Sequence, residues 1–178
     1  MITIRRRHWQ IALMAAVCAV LALAGWTVRQ HERTLSQGQI VYRQLNAADP
    51  RALMQGDYMA LRYTEEESLA ITLYYARDPL MPAANMPQFA YFRLDTRRRA
   101  TLVGWGETSQ VAAGLLALRI RYRNGQPTLG PNAFFFQEGT ADRYAAAAWA
   151  MLRVAPDGDA LLVALTDEDL KPLGYNHF

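Results

Sequence analysis

Four residues able to do acid–base or binding chemistry fall in two short blocks of the chain: Arg51, Asp57 and Tyr58 in the first, Glu138 in the second. If they converged in a polar cleft, the carboxylates and the phenol could exchange protons with a substrate or hold a small ligand, with the arginine pairing its charge. Other chemistries have less in their favour. A serine nucleophile needs a base within hydrogen-bond reach, whereas Ser36, Ser68 and Ser109 have no evident partner and the one lysine, Lys171, lies near the C-terminus. His8 and His31 flank an apolar run and His177 is penultimate, so no metal-ligand spacing occurs and no cofactor is implied. Gly104 and Gly106 around Trp105 read as a turn, since no phosphate-cradling glycine pattern follows. Glu65, Glu66 and Glu67 read as acids that complement a helix dipole, and Asp167, Glu168 and Asp169 as a solvated tail.

The elements that must position these residues follow from periodicity. Residues 39–45 form a plausible first strand around Ile40, Val41 and Tyr42, and 46–50 are turn-like. Gly56 can supply a positive φ and Asp57 can accept backbone N–H groups as they lead into a strand over 58–64. In that strand Met59, Leu61 and Tyr63 share one face, which a period of two marks as buried. Thr64 and Glu67 make a capping-box pattern before a short helix over 69–76, and the prolines of 78–87 impose a loop. Strands over 89–94 and 100–103 join across 95–99, where Arg97, Arg98 and Arg99 make a solvated turn. Residues 115–123 alternate Leu116, Leu118, Ile120 and Tyr122 with Ala117, Arg119, Arg121 and Arg123, a half-buried strand ending at the tight-turn pair Asn124 and Gly125. A short apolar strand over 133–136, a helix over 141–149 capped by Thr140, and a hairpin of 152–155 with 160–165 complete the chain. The sum is a mainly β fold, antiparallel and hairpin-rich, with two short helices.

Ahead of this body lies a targeting segment. Arg5, Arg6 and Arg7 precede a run over 9–28 without a charged residue, and twenty residues of helix rise about 30 Å, the thickness of a bilayer's hydrocarbon core. Ala22, Leu23 and Ala24 would suit a signal peptidase, but the full spanning length, with Trp9 and Trp26 near its ends, favours an uncleaved anchor. The domains expected are a cytoplasmic basic tail (1–8), a transmembrane anchor (9–28), a juxtamembrane linker or helix (29–38) stopped by Gly38, and an exported β domain (39–178). Arg29, Arg33 and Arg43 nearly balance the tail by count, so its compactness and free amino terminus decide for the N-terminus inside. Without the tail arginines, 16 basic residues face 16 acidic ones, so the net charge of +3 belongs to topology and gives no footprint for nucleic acid. Cys18, the one cysteine, lies within the apolar run and leaves the body without an intrachain disulfide.

Gly56, Asp57, Tyr58, Leu61 and Tyr63, in the segment GDYMALRY, match the GDYXXLXY pattern, and the chain resembles the bacterial membrane-anchored family of that name. Asp49, Pro50 and Arg51 before it, and the block from Phe134 to Gly139 that contains Glu138, are similar to the family's two other recurring blocks. The resemblance implies a domain of unknown function in the bacterial inner membrane, its body extracytoplasmic, partnered by a polytopic membrane protein. A looser similarity to membrane-anchored signal peptidases fails on chemistry: residues 46–55 contain no serine, and Lys171 is remote in sequence. The expected function is therefore a non-catalytic accessory or interaction domain. The alternative is an envelope enzyme or small-ligand binder using the carboxylates and tyrosine near the Gly56-Asp57 turn.

Overall fold

The computed structural model of the chain describes residues 3–46, 58–66, 69, 86–123, 126–137 and 139–176. A 35-residue helix, α1 (Thr3–Gln37), comes first. Among the described residues ten strands follow: β1 (Gln39–Gln44), β2 (Tyr58–Ala60), β3 (Phe89–Leu94), β4 (Ala100–Gly106), β5 (Leu115–Arg123), β6 (Gln126–Leu129), β7 (Ala133–Phe135), β8 (Trp149–Val154), β9 (Ala160–Thr166) and β10 (Pro172–Tyr175). They form two four-stranded sheets, ordered β1-β8-β9-β10 and β4-β3-β5-β6, and a β2-β7 ribbon. All the strand pairs are antiparallel, so the fold class is the one the alternating sequence pattern predicts.

The two large sheets meet where the β3–β4 turn docks on β1. Tyr42 donates its backbone N–H to the Arg98 carbonyl at 2.9 Å, and Arg98 adopts φ 62 to present it. Asp95 builds the turn: its carboxylate accepts the backbone N–H groups of Arg97 and Arg99 and pairs with the Arg99 guanidinium at 2.6 Å. Those donors, the Arg99 N–H foremost, hold the Asp95 carboxyl below its ordinary range. One core serves all three sheets, built on Val41, Met59, Tyr63, Leu69, Phe92, Leu118, Leu129, Phe134, Leu152 and Leu162.

The helix α1 has two faces to explain. Its apolar run is bare, with Trp9 77%, Leu23 68% and Trp26 70% exposed, yet its last turns pack on β8 and β9 and bury Thr34. Gly38 ends it with its N–H on the Thr34 carbonyl at 2.9 Å. A Cβ at Gly38 would stand 2.4 Å from that same helix oxygen and 3.2 Å from the Val154 carbonyl of β8, so glycine is required where the helix ends against the sheet.

Four sequence expectations change. The alanine-rich helix over 141–149 is a single 3-10 turn, Ala141–Tyr144, and Thr140 makes no side-chain cap, donating instead to the Gln137 carbonyl at 2.6 Å. Trp149 is already in β8, paired with Thr166, because sheet pairing outweighs the propensity of a helix too short to propagate. Gly104 and Gly106 are not a turn but lie within β4, opposite Tyr91 and Phe89. The supposed tail at Asp167 is a hairpin turn: its carboxylate accepts the N–H groups of Asp169 at 3.0 Å and Lys171 at 2.9 Å and so launches β10. Strand β6 likewise has no counterpart in the sequence reading; Pro127 and the short, non-alternating run conceal it. The proposed tight turn at Asn124 and Gly125 and most of the helix proposed over 69–76 lie outside the described residues.

Candidate functional site

Of the residues singled out for chemistry, Arg51, Gly56, Asp57 and Glu138 lie outside the described residues. The backbone of Tyr58 begins β2, opposite Phe135, so strand pairing brings the GDY block beside the phenylalanine block. Leu61 and Tyr63 are the motif positions whose side chains the structure describes. Met59, Leu61 and Tyr63 are all buried, as their alternation requires.

Tyr63 is also the floor of a polar knot that sequence reading missed. Arg43, counted there only as a charge flanking the anchor, points inward from β1 beside Val41 and is 1% exposed. Its guanidinium lies 3.9 Å above the Tyr63 ring and 5.1 Å from that of Phe92. One terminal nitrogen pairs with Glu65 Oε2 at 2.8 Å, and the other donates to the Leu129 carbonyl. Glu66 completes the knot by accepting the Leu129 N–H at 2.8 Å. The ring faces and the carboxylate together offset the desolvation of a charge taken out of water. Glu65 and Glu66 are therefore not simply a helix-dipole complement, which corrects that expectation; Glu67 lies outside the described residues. Burial raises the Glu66 carboxyl above its ordinary value, against the Leu129 N–H and Arg43, which pull it down. Burial likewise pushes the Tyr63 hydroxyl far up, opposed by Arg43, so it serves as a hydrogen-bond donor and not as a base.

The knot fastens one short segment of chain from several sides. Besides the two bonds to Leu129, the Tyr63 hydroxyl donates to the Pro131 carbonyl at 2.6 Å, and the Leu61 N–H donates to the Asn132 carbonyl at 2.8 Å. The last two named positions of the GDYXXLXY motif thus hold residues 131 and 132. That segment is one wall of a cleft of about 210 Å³ beneath the end of α1. Arg119 and Arg121 from β5, Asp159 from the β8–β9 turn and His31 from α1 bring the charge and the polar atoms. Asp159 Oδ1 receives both guanidiniums, Arg119 at 3.1 Å and Arg121 at 3.3 Å. Gly158 makes this possible: with φ 84 it turns the hairpin so tightly that a Cβ would sit 2.9 Å from the Phe89 ring and 3.1 Å from the Arg119 backbone nitrogen. Among the described residues no cluster of three or more His, Cys, Asp or Glu could hold a metal ion.

Fold and site together define a β-rich, antiparallel domain behind one N-terminal helix long and apolar enough to cross a membrane, with a sequence motif that braces the domain's core. The profile of the family described as GDYXXLXY protein matches residues 20–165, and the chain belongs to that family. No curated protein and no solved structure matches the chain.

Proposed function

We propose that this protein is a membrane-anchored, non-catalytic β domain that docks, outside the cytoplasm, on a polytopic membrane protein of the bacterial envelope. The observation that carries this reading is the junction at Gly38. A helix whose bare apolar surface needs a lipid environment runs without a break into a helix end packed on β8 and β9. A flexible tether would let the domain wander; a rigid one holds it at a fixed height and orientation over the membrane, as a docking module requires. The motif supports the same reading, because Leu61 and Tyr63 are spent on packing and bracing.

Affinity purification of the full chain from membranes in mild detergent, after brief cross-linking, tests the proposal. A polytopic protein should copurify in stoichiometric amount, and inserting a flexible Gly-Ser segment after Gly38 should reduce its recovery without releasing the anchor. Repeated recovery of the bare monomer would overturn the docking role.

A further inference from the structure

We propose that the cleft between α1 and the β domain binds a phosphate ester through Arg119 and Arg121, at the level of the lipid headgroups. Three observations converge. The first is charge: among the residues that line the cleft, two guanidiniums share a single oxygen of one carboxylate, Asp159, while the Asp157 carboxylate beside it is turned onto the Asp159 N–H at 3.1 Å. Arg119 gives a further donor to the Asp157 carbonyl at 2.9 Å and is 39% exposed, while Arg121, 61% exposed, commits one nitrogen only. Two residues apart on β5, they stand on one face about 7 Å from each other. Forked donors at that spacing can grip the separate oxygens of one phosphate group.

The second observation is the ring of His31. Its Nδ1 lies 2.8 Å from the Thr27 carbonyl and donates to it, which leaves Nε2 as an acceptor on the cleft's rim, able to take a hydrogen bond from a hydroxyl of the ester and not from its phosphate oxygens. The third is height. The apolar run ends at Val28, and His31 is three residues farther, about 4.5 Å along the helix axis. Trp26 marks the headgroup level from the lipid side. A cleft at that height meets phospholipid phosphates at high local concentration. A soluble phosphate ester carries the same group, and the inference does not depend on any protein partner.

The test is native mass spectrometry of the full chain in a neutral detergent, with three probes: phosphatidylglycerol, diacylglycerol of the same chains, and glycerol 3-phosphate. Phosphatidylglycerol should be retained and diacylglycerol not. Arg121→Gln and the double Arg119→Gln/Arg121→Gln should each weaken retention about tenfold or more, the loss of a charge-assisted bond, whereas Arg97→Gln, in the distant β3–β4 turn, should not. Glycerol 3-phosphate bound as tightly as the lipid would identify a soluble ester as the ligand; lipid retention without it identifies the headgroup. Arg119 stacks on Phe89 at 5.0 Å, so its loss can loosen the fold. Arg121→Gln is the decisive variant for that reason. Equal retention of phosphatidylglycerol and diacylglycerol, or an Arg121→Gln variant that binds like the parent, would overturn the proposal.

Discussion

Replacing Glu65 by Gln would leave the Arg43 guanidinium in the core with a neutral partner. Removing one member of a buried pair costs roughly 3–5 kcal/mol. Glu65 is 14% exposed and Arg43 keeps the Leu129 carbonyl and two aromatic faces, which puts Glu65→Gln near the low end, about 3 kcal/mol. Arg43→Met costs more, about 4 kcal/mol, because it strands the Leu129 carbonyl as well as the carboxylate. The double variant Arg43→Met/Glu65→Gln has no stranded partner of the pair left and should lose no more than Arg43→Met alone, about 4 kcal/mol or less, rather than the sum of about 7, a coupling of about 3 kcal/mol or more. Urea unfolding of the full chain in detergent micelles, followed by tryptophan fluorescence at neutral pH, measures all three. The coupling should persist from low to high salt, because buried charges are screened weakly. Additivity within about 0.5 kcal/mol would refute the claim that Arg43 and Glu65 form one buried unit.

Other outcomes follow from the same contacts. The raised carboxyl of Glu66 means that the fold prefers it protonated, so its contribution to stability is full below the ordinary glutamate value and is lost as pH rises through the folded value. Glu66→Gln keeps an acceptor for the Leu129 N–H and should stabilise the protein at pH 7 with no gain below about pH 4, read from melting temperatures across pH. Asp95 has the opposite sign: its lowered carboxyl contributes above the ordinary aspartate value and loses that contribution as pH falls, so Asp95→Asn should matter at pH 7 and lose its effect in acid. Tyr63→Phe should cost about 1 kcal/mol for the lost bond to Pro131 and speed hydrogen exchange of backbone amides along residues 129–132, seen by mass spectrometry. Gly158→Ala should cost about 1–3 kcal/mol in thermal unfolding, since the turn holds φ 84 against the Phe89 ring.

The sequence by itself determined the antiparallel β class, the apolar leading helix and the family. Strand β5 announces itself because a half-buried strand must alternate, and residues 116, 118 and 120 face the core as that alternation demands. A twenty-residue uncharged run and a fixed motif are equally local signals. Tertiary structure alone decided what the polar residues do. Arg43 in the core, with Glu65 and Glu66 bound to partners 22 and 63 residues away, has no local signature, because a charge reads as solvent-facing until its partner is known. The same holds for β6 and β10, which exist because β5 and β9 offer an open edge. The cleft joins residues 31, 119, 121, 131 and 159, and only folding could bring those distant points of the chain together. Local periodicity is written in neighbouring residues, whereas satisfaction of a buried charge is a property of the packed whole.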